Sequence, residues 1–340
     1  MPHRPWLILP LLLSLSVSAC TAREFEASPI ALTDQASPGD VYAGIRLLGA
    51  LRLAGAEING LRLCGLSGLA WDEDAGLLYA ISDTGNLFHL RPEFDEHGYL
   101  SGMRPVAAYP LRDIADAPLR TPFEDAEGLA IRHGENGVPG DAELLVSFEV
   151  KPRVVRYSPA GQWRGEEPLS APLRDIRNYH NSNEALEAVT LDPRWGVLVG
   201  PEKPLRTDPA GQARIFTRTG PFWNYPLSIA PGSALVAMES LPDGSLLTLE
   251  RAFVTPLRPL VISLRRTQPL PAPGADQAVL KVADVAVLDS SRGWLLDNFE
   301  GLTRYRDQRF FMVSDDNCNA WQTTLLAHFE LRSAASTAAR

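Results

Sequence analysis

One unit recurs five times along the chain, and this repetition constrains the fold more than any other feature. Each copy has a small or acidic residue, a short apolar strand, a turn, and a second apolar strand that ends in an acid. The copies start at Ser67, Glu127, Glu187, Ala237 and Glu300. Their second strands end at Asp83, Glu149, Glu202, Glu250 and Asp315. The starts are about 50 to 60 residues apart, which is long for one four-stranded unit, so loops or extra strands must fill part of each repeat.

The pattern of apolar runs between residues 44 and 332 also favours strands. Short apolar runs such as Leu144–Phe148 are bounded by Gly, Pro, Asp or Asn, and helical periodicity is nearly absent. Radial repetition of small antiparallel sheets protects strand edges, so we predict an all-β fold, a β-propeller of five blades or six. The sixth would lie in the divergent residues 254–290, and a strand from residues 44–54 would complete the last blade. A two-sheet sandwich is the alternative, but it does not explain a repeated acid.

The N-terminus has the features of an export signal. His3 and Arg4 precede an apolar run from Trp6 to Val17, which is shorter than the roughly 20 residues that cross a bilayer. The following Ser18-Ala19-Cys20 resembles a bacterial lipobox. We therefore expect an exported lipoprotein of the periplasm or outer membrane, lipidated on Cys20 and attached to the membrane through that lipid alone. The alternative is an ordinary cleaved signal with an incidental cysteine.

These features give a predicted organisation in four parts. They are a signal peptide (1–19), a lipidated N-terminus and tether (20–43), the propeller domain (44–332) and a disordered tail (333–340). The tether and tail are polar and lack sustained periodicity.

The charge balance limits the class of partner. There are 41 acidic and 32 basic side chains, giving a net charge of −9. Nucleic-acid binding needs a concentrated basic face, so we expect no nucleic-acid partner. An acidic surplus is compatible with bound cations.

Cysteine usage leaves two alternatives at this point. With Cys20 assigned to lipid, Cys64 and Cys318 remain. In an oxidising compartment they can pair, or they can stay as two buried thiols.

The repeated acids should converge in a propeller. The innermost strand of each blade lines the channel and the next runs back, so the start of the first and the end of the second share one face. This geometry predicts a ring of Asp83, Glu149, Glu202, Glu250 and Asp315. A second set, Glu127, Glu187 and Glu300, should lie close by, with Asp125, Asp316, Asn183, Asn298 and Asn317 near in sequence.

Converging carboxylates raise one another's pKa unless positive charge lies among them. Calcium fits such an oxygen-rich cluster, and basic residues also follow the acids directly. These are Lys151, Arg153, Lys203 and Arg251. Cations together with Arg and Lys suit a phosphate group. Alternatively, the acids only bond backbone amides and neighbouring arginines, and so hold the blades together.

Other chemistries have little support in the sequence. It contains no G-x-S-x-G nucleophile motif, no H-E-x-x-H zinc motif and no glycine-rich phosphate loop. His180 lies in a polar loop ahead of Glu187 and is a candidate general base, or else an ordinary surface residue.

Several motifs, taken in order, resemble the phytase-like domain family known as "esterase-like activity of phytase". They are Ser82-Asp-Thr-Gly85, Asp125-Ala-Glu-Gly-Leu129, Leu249-Glu-Arg251, Asn298-Phe-Glu-Gly-Leu302 and Ser314-Asp-Asp-Asn317 with Gln322-Thr323. The resemblance covers most of residues 44–332. It implies a secreted β-propeller that is distantly similar to calcium-dependent propeller phytases, which hydrolyse phosphate monoesters. Ser67 and Ala237 depart from the pattern, because they stand where the other repeats begin with an acid.

The resulting hypothesis is a calcium-dependent phosphoric-ester hydrolase that acts on a small phosphorylated ligand at the channel face. Catalysis is assigned to Glu127, Glu187 and Glu300, which could also hold metal. Metal binding is assigned to Asp83, Glu149, Glu202, Glu250, Asp315 and Asp316. Phosphate binding is assigned to Lys151, Arg153, Lys203 and Arg251. The alternatives are a non-catalytic ligand-binding or scaffolding propeller and, third, a carboxylic-ester hydrolase, against which the missing nucleophile motif counts.

Ring closure also bears on the two cysteines. Cys64 precedes the inner strand of the first repeat, and Cys318 follows the second strand of the last. Both positions belong to the same face of blades that become neighbours when the ring closes. We therefore predict a Cys64–Cys318 disulfide that joins the first blade to the last.

Overall fold

The computed structural model describes residues 25–55, 57–218, 220–273 and 279–332. Five antiparallel sheets surround a central channel, because the innermost strands of successive sheets contact one another in a closed cycle. Within the described residues there is no α-helix, and none of the three 3-10 turns has the length or apolarity to cross a bilayer. The predicted all-β propeller is confirmed, with five blades.

The N-terminal part contains five strands. They are β1 (Glu26–Pro29), β2 (Val41–Tyr42), β3 (Ile45–Ala54), β4 (Glu57–Ile58) and β5 (Leu61–Arg62). β4 and β5 form a small hairpin of their own, and β2 pairs with β3.

Blades one to four are four-stranded meanders, in which strands consecutive in sequence are also neighbours in the sheet. Blade one contains β6 (Leu66–Asp72), β7 (Leu77–Ser82), β8 (Asn86–Phe94) and β9 (Leu100–Pro110). Blade two contains β10 (Ala126–Arg132), β11 (Glu143–Phe148), β12 (Arg153–Tyr157) and β13 (Trp163–Glu167). Blade three contains β14 (Leu186–Asp192), β15 (Gly196–Pro201), β16 (Gln212–Thr217) and β17 (Phe222–Pro226). Blade four contains β18 (Ser233–Ser240), β19 (Leu246–Ala252), β20 (Val261–Thr267) and β21 (Val282–Asp289).

Blade five joins the two ends of the described chain. Its inner strands are β22 (Asn298–Arg304), β23 (Arg309–Asp315) and β24 (Thr324–Leu331). β3 pairs antiparallel with β24, with Leu51 opposite Leu326, and β1 pairs with β3 at the outer edge. The prediction that residues 44–54 complete the last blade is therefore confirmed.

Two sequence-based boundaries differ from the structure. The divergent residues 254–290 contain β20 and β21, the outer strands of blade four, so the alternative of a sixth blade is wrong. The segment interpreted as a tether is folded from Phe25 onward, because β1 and β2 lie against blade five. The signal peptide, Cys20 and the tail from residue 333 lie outside the described residues.

The hydrophobic core is divided among the five blade interfaces. Each of five buried clusters joins two neighbouring blades, as Leu78 and Phe311 do between blades one and five. Both side chains are fully buried. Truncating such an aromatic side chain typically costs about 3–5 kcal/mol, so the interfaces hold the ring together.

A small residue in each inner strand allows the blades to approach closely at the channel. These residues are Gly68, Gly128, Ala188, Ala237 and Gly301. A Cβ atom on Gly128 would lie 2.2 Å from the carbonyl oxygen of Glu187 in the next blade. Even alanine is therefore excluded at Gly128, because the neighbouring backbone cannot move without separating the blades.

The predicted disulfide is confirmed. Cys64 and Cys318 are bonded, with their Cα atoms 4.9 Å apart and a sequence separation of 254. The bond joins the chain just ahead of β6 to the loop after β23, and so links blade one to blade five.

Candidate functional site

An irregularity in strand pairing positions the first set of acids. In every blade the pairing of the inner strand with its neighbour shifts near one end of the channel. The shift leaves Glu187 unpaired in blade three and Glu300 unpaired in blade five, and both residues line the channel. Glu127 has the corresponding place in blade two, and Ser67 in blade one. These four side chains are buried.

The second set of acids comes from the following strand. The backbone N–H groups of Asp83, Glu149 and Glu202 each donate to a carbonyl just ahead of the inner strand of the same blade. Asp315 pairs with Asn298 at the equivalent level of blade five. The structure thus brings Asp83, Glu149, Glu202 and Asp315 to the same end of the channel as the first set.

Blade four breaks the pattern, and the prediction for Glu250 is wrong. Leu235 pairs with Glu250 and Ala234 with Arg251, so Arg251 is the residue equivalent to the ring acids. Glu250 lies one residue earlier and faces the interface between blades three and four. There its carboxylate accepts hydrogen bonds from the Tyr225 hydroxyl (2.5 Å), Arg265 (2.7 Å), the Ser228 N–H (2.7 Å) and the Ser233 hydroxyl (2.6 Å).

The same one-residue offset applies to the start of the fourth repeat. The shifted register skips Val236, not Ala237, so a buried valine stands where blades two, three and five carry an acid. Ala237 is instead equivalent to the small residue that follows the acid. Among the residues that the structure describes, blade four therefore contributes a valine and an arginine to this end of the channel, and no carboxylate.

Arg251 neutralises part of the ring. Its Nη2 donates to Glu202 Oε1 at 2.8 Å, and its Nη1 donates to Glu300 Oε1 at 2.9 Å and to the Asn298 side-chain oxygen. The Asn298 amide in turn donates to Glu300 Oε1 at 2.8 Å. Although burial opposes the charged guanidinium, Glu300 and Glu202 raise the pKa of Arg251. Arg251 is thus an internal counter-ion between blades three and five.

The remaining acids form two overlapping carboxylate clusters. One contains Asp125, Glu127 and Glu149, and the other contains Glu149, Glu187 and Glu202. Within each cluster, one oxygen per residue lies within 4.8 Å of the others. Glu149 belongs to both clusters, and its Oε1 accepts the Ala185 N–H at 2.6 Å. We call the end of the channel formed by Glu127, Glu149, Glu187, Glu202, Glu300 and Arg251 the acid mouth.

Burial and mutual repulsion shift the pKa values at the acid mouth upward. Burial, with Glu202 and Asp125 nearby, raises the pKa of Glu149 to about 9, although the Ala185 N–H opposes the shift. Burial raises the pKa of Glu300 to about 8 against the stabilising charge of Arg251. Burial and neighbouring carboxylates hold the pKa of Glu127 and of Glu187 well above the usual range. The acid mouth therefore contains more carboxyl groups than basic groups.

A family model described as "Phytase-like: Esterase-like activity of phytase" matches residues 62–318, which span the inner strands of all five blades. The chain belongs to the phytase-like family. No curated protein sequence matches the chain.

Two solved structures resemble this phytase-like propeller in fold. The aldose sugar dehydrogenase of Streptomyces coelicolor, in its PQQ-bound form, is 10% identical with a TM-score of 0.45; the alignment covers 87% of this chain and 100% of that one. A gluconolactonase of Xanthomonas campestris is 13% identical with a TM-score of 0.37, over 88% of this chain and 99% of that one. At such low identity the likeness concerns the fold alone.

The acids of blades one and five lie beside the two clusters. Asp83 Oδ1 is buried and has no hydrogen-bond partner in the described structure. Burial, then the charges of Asp315 and Asp125, raise the pKa of Asp83 to about 7. Asp315 is also buried, and burial raises its pKa to about 6 although the Asn317 N–H donates to it at 2.6 Å. This phytase-like domain therefore has a further pair of carboxyl groups next to the acid mouth.

Asp316 lies outside the two carboxylate clusters and bonds backbone N–H groups at the junction of two blades. Its Oδ1 accepts the Gly65 N–H at 2.8 Å and the Cys318 N–H at 3.0 Å. Both donors flank the disulfide. Asp316 thus fixes the junction of blades one and five.

The predicted phosphate-binding residues do not form one group. Lys203 pairs with Glu184 at 2.5 Å, and Arg251 is bonded within the acid mouth. Lys151 and Arg153 line a separate cleft beside blade two, so their assignment to the channel face is wrong. Both follow Glu149 closely in sequence, but the chain turns away from the channel after β11. His180 is exposed, and its carbonyl accepts a hydrogen bond from Arg206.

Two residues of interest were missed in the sequence. Asp125 was noted only as a neighbour, yet it belongs to a carboxylate cluster, and its place two residues before Glu127 in an extended strand was the available signal. Glu239 lines the opposite end of the channel, where burial raises its pKa to about 8. It has no counterpart in the other repeats, so the repeat pattern could not reveal it.

Proposed function

We propose that the acid mouth of this phytase-like propeller binds a divalent cation, calcium, and that the protein hydrolyses a small phosphoric ester there. One observation carries the proposal. Glu127, Glu149 and Glu187 are buried side by side, and none of them forms an ion pair with a described lysine or arginine. Buried carboxylates without such partners are costly unless they are protonated or bind a metal.

The donor set favours calcium over softer metals. The atoms that could coordinate a cation in the two clusters are all oxygens. They belong to the carboxylates of Asp125, Glu127, Glu149, Glu187 and Glu202. Calcium takes six to eight oxygen ligands, whereas zinc and copper sites use imidazole or thiolate. Five carboxyl groups offer enough oxygens, and the chain's surplus of negative charge is compatible with this use.

A bound calcium ion would supply Lewis acidity, stabilising charge on phosphoryl oxygens and lowering the pKa of a bound water. The chain's own groups would do the rest. Burial raises the pKa of Glu300 to about 8, so this group can exchange a proton near neutral pH and donate one to a leaving oxygen. Arg251 holds Glu300 in place through the 2.9 Å bond. Glu127 and Glu187 are buried acids that can hold the cation or carry protons.

A non-catalytic ligand-binding propeller is the second candidate, and a specific observation favours it. Lys203 and Arg251 are already paired with Glu184, Glu202 and Glu300. A phosphate group would have to displace these carboxylates or bind through the cation alone. In this case the protein would bind calcium and a ligand without turnover.

The two candidates differ in a direct assay. The purified chain is incubated with p-nitrophenyl phosphate and with phytate, in calcium and in a chelator, and its metal content is measured in parallel. The proposed hydrolase releases phosphate only when calcium is present. Bound calcium without phosphate release supports the binding protein, and absence of bound calcium overturns both.

We also propose that the chain is exported and anchored through a lipid on Cys20. The sequence pattern before Cys20 supports this. Metabolic labelling with a radioactive fatty acid should mark the wild-type protein and not Cys20→Ser. Equal labelling of both, or a protein found in the cytoplasm, would contradict the proposal. Calcium outside the cytoplasm is plentiful enough for a site of moderate affinity.

A further inference from the structure

A second cavity lies beside blade two, apart from the acid mouth. It has a volume of about 570 Å³, within the range of small-molecule sites. One wall is the loop of residues 111–123, and the other is formed by β12 and β13. We call it the side cleft. Its apolar lining includes Leu119, Phe123, Val155 and Trp163.

The wall of the side cleft is held by several hydrogen bonds. Asp113 Oδ1 accepts the N–H groups of Ala115 and Ala117, each at 2.9 Å. The Leu119 N–H donates to Leu111 O at 2.9 Å. Arg153 Nη2 then donates to Phe123 O at 2.5 Å, which ties the loop to blade two. The cleft is therefore formed before any ligand arrives.

One end of the side cleft is cationic. Arg153 is partly buried, with its guanidinium 3.8 Å above the centre of the Phe148 ring. Lys151 also lines the side cleft and is exposed, and its carbonyl accepts a hydrogen bond from Arg153 Nη1 at 2.9 Å. Neither side chain forms an ion pair with a carboxylate of the described residues, and Arg153 bonds only to backbone carbonyls. Burial lowers the pKa of Arg153, and the nearby Tyr157 and Glu166 oppose this shift without cancelling it.

Tyr157 adds a neutral donor to the same cavity. It lines the side cleft, and in the part of the chain that the structure describes its hydroxyl bonds to no protein group. Burial raises its pKa, so the hydroxyl keeps its proton. A guanidinium, an ammonium and a phenol together can bind a carboxylate or phosphate more selectively than charge alone.

We propose that the side cleft binds a small amphipathic organic anion. Its acidic group lies against Lys151 and Arg153, and its apolar or aromatic body lies against Phe123, Val155 and Trp163. An anion would neutralise the charge of the partly buried Arg153 guanidinium. An apolar body would cover Phe123, which is 49% exposed. A flat ring suits a lining that includes Trp163 and Tyr157.

Two carboxylates in the side cleft limit the charge of the ligand. Asp113 and Glu166 line it, and both act electrostatically on Tyr157, as Glu166 also does on Arg153. These two acids would repel a second anionic group, so a ligand with one anionic group should bind more strongly than one with two.

The test uses the whole chain and two probes of equal shape. Calorimetric titration with naphthalene-2-carboxylate should show one site, and the neutral naphthalene-2-methanol should bind at least tenfold more weakly. Arg153→Gln and Lys151→Gln should each weaken carboxylate binding at least fivefold. Lys151 is exposed, so its variant keeps the fold even if Arg153→Gln loosens the loop. Naphthyl phosphate in place of the carboxylate tells which anion is preferred.

Arg164→Gln is the matched control, because Arg164 is an exposed arginine of β13 that does not line the side cleft. It should bind the carboxylate like the wild type. Equal binding of the acid and the alcohol would overturn the proposal, and so would unchanged binding by the Lys151 and Arg153 variants. The acid mouth is not involved, so these results do not depend on calcium binding or hydrolysis.

Discussion

Arg251 of blade four donates a 2.8 Å hydrogen bond to Glu202 of blade three, and both side chains are largely buried. Four blades place an acid at this level, whereas blade four places a cation. The five-fold repeat therefore contains its own counter-ion. This division leaves Glu202 and Glu300 partly neutralised, while Glu127, Glu149 and Glu187 have no basic partner among the described side chains.

Replacing Arg251 should destabilise the ring. Arg251→Gln leaves Glu202 and Glu300 without their cation, and removing one partner of a buried ion pair typically costs about 3–5 kcal/mol. Urea denaturation in chelator at pH 7 measures the loss. Arg91→Gln, which removes an exposed arginine of blade one, should change stability by less than about 0.5 kcal/mol. Equal effects of the two variants would refute the counter-ion role.

Glu149 belongs to both carboxylate clusters. Replacing it with glutamine should therefore weaken calcium binding more than the equivalent change at the other acids of the clusters. Glu149→Gln removes one charged ligand while its side-chain oxygen can still accept the Ala185 N–H. We expect calcium affinity to fall at least about tenfold with little loss of stability at neutral pH. Calorimetric titration with calcium measures this. Glu57→Gln, in the exposed hairpin, is the control, and an unaltered affinity in Glu149→Gln would exclude the clusters as the site.

Glu250 should behave in the opposite way. Glu250→Gln disrupts a buried network with Arg265 and Tyr225, so stability should fall by about 3–5 kcal/mol. The residue does not contact the acid mouth, and calcium affinity of the folded variant should stay within about twofold of the wild type. Denaturation and calcium titration on the same sample separate the two effects. A loss of calcium affinity without a loss of stability would return Glu250 to the ring.

Stability without metal should decrease as the pH rises from about 5 to 9. Burial raises the pKa of Glu149 to about 9 and that of Glu300 to about 8 in the folded state, whereas both stay near about 4.3 in the unfolded chain. Between these values the folded state binds more protons, so raising the pH favours unfolding by up to about 1.4 kcal/mol per unit for each group.

Calcium should reduce that loss, since a bound cation replaces the protons. Denaturation curves at several pH values, in chelator and in calcium, test this, and Glu149→Gln in chelator should flatten the curve. Stability that increases over the same pH range in chelator would contradict the assigned pKa directions.

The disulfide should be complete in the oxidised chain. A protein beginning after Cys20 should show no free thiol when denatured without reductant, and two such thiols would contradict the bond. Reduction should lower the free energy of unfolding by about 4 kcal/mol, because the closed loop is long. The double variant Cys64→Ser, Cys318→Ser should reproduce the reduced protein.

The repeat made the propeller, its closing strand and the disulfide predictable. It did not show which residues of the fourth copy are equivalent to the acids of the other copies. Glu250 and Arg251 are adjacent, and a shift of one residue in a strand exchanges the faces of every side chain. The small residue of each inner strand carried the missing information. Aligning Ala237 with Gly128 and Gly301 places Val236 at the acid position and Arg251 at the ring.

Other parts of the site depended on contacts that sequence spacing does not contain. Lys151 follows Glu149 by two residues, yet the turn after β11 carries it to the side cleft. Asp316 follows Asp315 directly, but its carboxylate bonds the backbone at the junction of blades one and five. The direction of a loop decides both cases, and loops lack the periodicity that locates strands.

The bond between Cys64 and Cys318 also determines how the molecule would respond to force applied at its two ends. Pulling would first peel away β1 and β3 on one side and β24 on the other, since these strands lie outside the covalent loop. The segment between the two cysteines could not lengthen further, and four complete blades would bear no load. A pulling experiment on the oxidised chain should therefore show a short extension and then an abrupt limit, which reductant removes.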